Sequence, residues 1–174
     1  MQQAHDPRQP ILPERYEVID GRVYDMSPPP SEIHQRIVTN LLREFSIYLK
    51  GRECFAYPAP FGVWWKEDDD EHVEPDISVI CDPGKIRPKG CVGAPDLIVE
   101  VLGKSTAEKD RGIKMIKYRA AGVREYWIVD PEHETVEVYH WEDNVFQQPD
   151  VYGGDGEIPV RIFDDLVIKL RDVF

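Results

Sequence analysis

Leu97-Ile98-Val99-Glu100-Val101-Leu102 is the stretch on which the fold turns. Apolar side chains occupy both parities of the run, so it reads as a strand covered on both faces. Glu100 alone interrupts it. A carboxylate buried there needs a cation, a hydrogen-bond network or a raised pKa. The run therefore predicts an inner strand that carries a chemical group. Upstream, Ile77 to Cys81 and Phe61 to Trp65 read as strands. The acidic run Glu67-Asp68-Asp69-Asp70-Glu71 between them reads as a solvated loop.

Further out the punctuation is clear. Tyr16-Glu17-Val18-Ile19 and Arg22-Val23-Tyr24 flank Asp20-Gly21, the signature of a tight hairpin. Pro28-Pro29-Pro30 stops the sheet, and Ser31 can cap a helix. Ile33, Ile37, Leu41, Leu42, Phe45 and Leu49 recur in it at helical spacing, and Gly51 ends it. Downstream, Ser105 and Glu108 form a candidate capping box for a helix reaching Ala121 and closed by Gly122. Ile113, Ile116 and Ala120 are its expected apolar stripe. Glu125 to Val129 reads as a second buried strand, and Thr135 to Trp141 as the edge strand of a hairpin. The order predicts a mixed α/β (α+β) sheet with helices packed on it. Residues 1–12 are expected to be a tail, and 13–174 a single domain.

Composition narrows the class. Hydrophobic residues at 41% and charged residues at 31% describe a globular chain. The net charge of −12 excludes a wholly basic nucleic-acid binder but permits a carboxylate pocket for metal ions. No apolar run approaches the ~18 residues that span a bilayer, and the polar N-terminus lacks a signal-peptide core, so a cytoplasmic protein is expected. Cys54, Cys81 and Cys91 are widely spaced, and the expectation is three reduced thiols.

Chemistry concentrates around Glu100. Asp76 borders the Ile77 strand, and two strand carboxylates side by side make a hard-oxygen site suited to magnesium or manganese. Glu74 and Asp76 are expected on the same strand face, two residues apart, and His72 shares that parity at the end of the loop. In the helix after Glu100, Asp110, Lys114 and Tyr118 recur every four residues. Asp110 and Lys114 read either as a surface ion pair or as a stripe reaching over the sheet end towards the carboxylates. Lys117 lies nearer the apolar stripe, so the helical wheel does not choose between the lysines. Two decoys fail. Gly103-Lys104-Ser105 lacks the upstream glycine of a phosphate loop, because position 98 is Ile98. His133 and His140 have no metal-ligand constellation and are expected to be exposed.

Taken in order, Glu74-Pro75-Asp76-Ile77, Ala94-Pro95-Asp96-Leu97-Ile98-Val99-Glu100-Val101-Leu102, Ser105-Thr106, Asp110, Lys114, Tyr118, Ala121-Gly122-Val123 and Glu125-Tyr126-Trp127-Ile128-Val129-Asp130 carry a resemblance. They resemble the Uma-type putative restriction endonuclease family of the PD-(D/E)XK nuclease superfamily, over roughly residues 13 to 141. The superfamily places Glu-x-Lys on one strand. Here position 102 is Leu, and the matching lysine is Lys114 on the following helix. His34 also matches a family position. The resemblance implies a restriction-endonuclease-like fold and metal-dependent phosphodiester hydrolysis, with Asp76, Glu100 and the Val101 carbonyl holding Mg²⁺ (Mn²⁺ substituting). Lys114 would orient the attacking water or stabilise the developing charge. Asp96 is the alternative carboxylate.

DNA is the expected partner, RNA an alternative. Phosphates would meet Lys85, Arg87 and Lys89, with Lys104, Lys109 and Arg111 as a rim. A homodimer through Trp64, Trp65, Phe163 and Phe174 is a further expectation, against core packing of the same aromatics. The competing function is a non-catalytic or partner-dependent interaction module that keeps the fold.

Overall fold

In the computed structural model, residues 12–141 and 148–174 are described. The expected tail therefore lies, but for Leu12, outside the described residues. The chain opens with a hairpin, β1 (Tyr16–Ile19) against β2 (Arg22–Asp25). Asp20 and Gly21 both have positive φ, 51° and 70°, the type I′ geometry that a two-residue hairpin turn requires. Helix α1 (Glu32–Leu49) starts at Ser31, whose side chain accepts the His34 amide. Its buried face carries Ile37, Leu41, Phe45 and Leu49.

Six strands form the sheet around the Glu100 run. These are β3 (Phe55–Pro58), β6 (Ile77–Ile80), β9 (Leu97–Val101), β10 (Glu125–Asp130), β11 (Thr135–His140) and β12 (Asp150–Gly153), in spatial order β12-β11-β10-β9-β6-β3. β9 and β10 run parallel at its centre and every other pairing is antiparallel. β11 is consequently not the expected edge strand, because β12 pairs along it.

A second sheet was not foreseen. The hairpin joins β4 (Gly62–Trp64), β5 (His72–Val73), β7 (Ile86–Arg87) and β8 (Gly90–Val92) in the order β2-β1-β5-β4-β8-β7. The Phe61 and Ile77 strands thus belong to different sheets: the acidic loop joins β4 to β5 within the second sheet, and Glu74-Pro75-Asp76 crosses to β6. Strands of two or three residues have too little periodicity to be read from sequence.

β9 lies between two cores. Leu97, Val99 and Val101 pack with α1, with Trp127 of β10, and with Ile158 and Ile168 of the C-terminal hairpin β13 (Glu157–Pro159) and β14 (Val167–Lys169). Ile98 points the other way, against Ile19, Val63, Val73 and Tyr118. Alternation puts Glu100 on the Ile98 side, facing the second sheet.

The helix after β9 is interrupted. α2 (Ala107–Lys109) passes into a π-turn, Asp110–Lys114, and then α3 (Met115–Ala121), which ends at Gly122 with φ 89°. Thr106, not Ser105, stands at the start, and the Thr106 hydroxyl accepts the Gly103 amide, so no capping box forms. The buried side chains are Asp110, Lys114, Met115 and Tyr118, whereas Ile116 of the expected apolar stripe is 69% exposed. The wider π-turn turns Ile116 outward while Ile113 still packs on the second core, and such turns recur at functional sites.

Cys54 and Cys81 are joined by a disulfide across the β3–β6 pair, which corrects the expectation of three reduced thiols; Cys91 is free and buried. The two residues flank the partners Phe55 and Ile80, a juxtaposition that spacing along the chain does not reveal. Trp65, Phe163 and Phe174 pack on the cores, and Trp64 stacks on His72, so these aromatics form no exposed dimer patch. His140 is also corrected: its side chain is 10% exposed, while that of His133 is 70% exposed.

Candidate active site

β6 pairs with β9 through Ile77 opposite Val99, so the residue before Ile77 comes alongside Glu100. That residue is Asp76. Its Oδ2 accepts the Val101 amide at 2.7 Å and lies 3.2 Å from Nε2 of His34, on the first turn of α1. Glu100, 3% exposed, accepts two donors on Oε1: the Lys114 ammonium at 2.8 Å and the Tyr118 hydroxyl at 2.6 Å. The four-residue stripe thus reaches the carboxylates, and Lys114 rather than Lys117 supplies the ammonium. Asp110 Oδ1 lies 3.6 Å from the same ammonium and has no hydrogen-bond partner.

A fourth carboxylate comes from the second sheet. Glu17 of β1 is completely buried and lies 2.7 Å from Lys114 through Oε1; its Oε2 meets Lys109. Sequence reading passed over Glu17 and placed Lys109 only in the phosphate rim. The available signal was parity, because Glu17 alternates in phase with buried Ile19.

Charge is unevenly shared in this cluster. Burial pushes Glu100 up to about 8, Lys114 pulls against it, and the charges of Asp110, Asp76 and Glu17 add to the rise. Asp110 is raised as well, chiefly by burial. Burial also works against an ionised Glu17, but Lys114 and Lys109 outweigh it and hold Glu17 at about 2. Burial opposes the Lys114 charge, yet Glu100, Glu17 and Asp110 keep it well above the ordinary lysine value. One ammonium cannot neutralise three carboxylates, so Lys114 stays charged while Glu100 gives way. Burial lowers His34, but the Asp76 hydrogen bond and charge reverse that, and the imidazole holds its proton above the usual range.

Other predicted residues stand elsewhere. Glu74 pairs with Arg15 at 2.6 Å in the link between β5 and β6, so it does not share a strand face with Asp76. His72 bonds the Tyr16 carbonyl. Asp96, at the opposite end of β9 from Glu100, accepts the Cys81 amide and meets Arg124. Lys117 is held by Asp20 and Glu71. In the expected phosphate-binding connection, Lys85 bonds the Ala94 carbonyl and Arg87 pairs with Glu67, while Lys89 is exposed. Of the expected rim, Lys109 is engaged by Glu17 and Arg111 by Glu137, leaving Lys104 exposed.

The donor set suits a hard divalent cation. Among the described residues no group of three or more His, Cys, Asp or Glu side chains is arranged to hold a metal ion. Asp76 and Glu100 are adjacent nonetheless, and their bonds fall on Oδ2 and Oε1, leaving one oxygen on each. Glu17, Glu100 and Asp110 converge on the Lys114 ammonium with Asp76 beside Glu100, a set of hard carboxylate oxygens of the kind a divalent ion binds. The residues fit such an ion.

The fold matches the crystal structure of a putative nuclease belonging to DUF820 from Anabaena variabilis, with a TM-score of 0.75 and 22% identity over 91% of this chain and 89% of that one. The likeness shows that the two chains share a fold. An uncharacterized protein of Synechocystis sp., slr1290, is 30% identical over 132 residues, 75% of this chain and 68% of that protein. The family model described as putative restriction endonuclease matches residues 10–171, and the chain belongs to that family, Uma2.

Proposed function

We propose that the protein is a divalent-metal-dependent endonuclease that hydrolyses phosphodiester bonds of nucleic acid, with DNA as substrate. The observation that carries this reading is the meeting of Lys114 with Glu100 at 2.8 Å, beside Asp76. Asp76, Glu100 and the Val101 carbonyl would hold Mg²⁺, which when bound polarises the phosphate and acidifies a water.

The chain's own groups do the rest. Lys114 remains an ammonium, so it orients water and stabilises charge on the phosphate instead of acting as a base. Tyr118 and Lys114 together fix the Glu100 carboxylate. The Val101 amide and His34 fix Asp76. Glu17, Glu100, Asp110 and Lys114 are each at most 3% exposed, whereas the Asp76 and His34 side chains are 19% and 10% exposed. Substrate therefore enters at the Asp76–His34 side.

The test is plasmid cleavage with Mg²⁺ or Mn²⁺, comparing the wild type with Glu100→Gln and Lys114→Met and scoring folding in parallel. Loss of cleavage in both folded variants is expected. Unchanged cleavage in both ends the proposal. With net charge −12 and so many cations already paired, DNA binding should be weak and salt-sensitive. A single domain over 13–174, a cytoplasmic setting and a homodimer able to cut both strands belong to the same proposal. The Cys54–Cys81 bond bears against the cytoplasm, because disulfides persist in oxidising compartments. Burial of Lys114 and Glu100 favours one second reading, a nuclease-fold module whose site opens only on a partner.

A further inference from the structure

Glu17 touches three separate parts of the site at once. Oε1 accepts the Lys114 ammonium at 2.7 Å and the Glu74 amide at 3.0 Å, while Oε2 takes Lys109. Glu74 stands two residues before Asp76, joined to it through Pro75, whose ring fixes φ. Lys114 ends a flexible four-carbon stem that has no preferred placement of its own. Glu100 sits on the central strand of one sheet and Glu17 on the other, so the ammonium is gripped from both sides. An ion pair serving stability alone would not need to hold the Glu74 backbone, two residues before Asp76, as well.

We propose that Glu17 is a positioning residue for the cleavage reaction: its carboxylate fixes the Lys114 ammonium against Glu100 and ties down the backbone leading to Asp76. The proposal rests on the nuclease reading above. It makes the N-terminal hairpin part of the catalytic apparatus. Such control matters because a misplacement of about 1 Å costs on the order of 100-fold in rate.

The test is a double-mutant cycle on the full chain, with Glu17→Gln, Lys114→Met and both together. kcat and KM are measured on DNA with Mg²⁺ or Mn²⁺ and normalised to folded protein, and the Lys114 ammonium resonance is followed by NMR. Glu17→Gln should lower kcat roughly 10–100-fold with KM changed less than about twofold. In the Lys114→Met background the same change should have no further effect on the residual rate, because the glutamine oxygen still accepts the Glu74 amide. The Lys114 ammonium signal, sharp in the wild type, should broaden in Glu17→Gln while the backbone spectrum stays dispersed.

Equal losses in both backgrounds, or an unchanged kcat and ammonium signal, overturn the proposal. If the wild type cleaves with neither metal, the nuclease reading falls, and the resonance alone decides positioning: broadened in Glu17→Gln supports it, unchanged refutes it. Should Glu17→Gln not fold, Glu17→Asp keeps the charge one methylene short. A kcat loss confined to chains that retain Lys114 then supports the proposal, and an equal loss without Lys114 overturns it.

Discussion

Replacing Lys114 with methionine removes the one cation that Glu17, Glu100 and Asp110 share, at 2.7, 2.8 and 3.6 Å, from a position only 2% exposed. Breaking a buried pair by deleting one partner costs about 3–5 kcal/mol, because the charge left behind has neither water nor a counterion. For a chain of this length that loss lowers Tm by roughly 6–20 °C. The deficit should depend on pH in a definite direction. Lys114 is held well above its ordinary value, so its own contribution is intact below about pH 10.5 and is lost only as pH rises through the higher folded value. The stranded carboxylates respond instead. Without Lys114, Glu17 and Asp110 lose their shared ammonium, so the folded variant should bind more protons than the wild type and the deficit should shrink between pH 8 and pH 6. Recovery ends near pH 4.5, where unfolded glutamates take up protons too. Urea unfolding at both pH values, with EDTA present, measures this. A loss below about 1 kcal/mol at pH 8, or the same loss at both values, would show that the ammonium does not hold these carboxylates together.

Three further outcomes follow from the same structure. Glu100 at about 8 holds a proton in the folded protein at pH values where the unfolded glutamate, ordinarily 4.5, has lost it. Wild-type stability should therefore rise as pH falls from about 8 towards 4.5, and Glu100→Gln should flatten that rise in urea titrations; Glu17, held at about 2, works the other way and is lost as pH falls from 4.5 to 2. Mg²⁺ should raise the wild-type Tm by binding only the folded state, and the rise should vanish in Asp76→Asn; equal rises in both proteins would place the ion elsewhere. Reducing Cys54–Cys81, which spans 27 positions, should lower stability by about 2–4 kcal/mol, measured by unfolding with and without dithiothreitol; no change would show that the bond adds nothing to the fold.

Much of this protein was written locally. The Asp20-Gly21 turn, the Ser31 cap, the apolar face of α1 and the buried runs of β9 and β10 depend on neighbours within a turn or a strand, where backbone sterics and side-chain periodicity decide. Local reading also singled out Asp76 and Glu100, because a charge in or beside an apolar strand is costly wherever the strand lies, and the Asp110–Lys114–Tyr118 stripe through its four-residue spacing. What lay beyond its reach came from pairings between distant segments. Four very short strands joined the hairpin as a second sheet through pairings distant in sequence, such as Val18 with His72 and Val63 with Cys91. Lys114 was separated from Lys117 by a π-turn that rotates the helix and by the carboxylates waiting on two different sheets. Glu17 and the Cys54–Cys81 bond became visible only when strands remote in sequence were brought side by side, since the energy of a buried charge or a cross-link depends on what surrounds it in space.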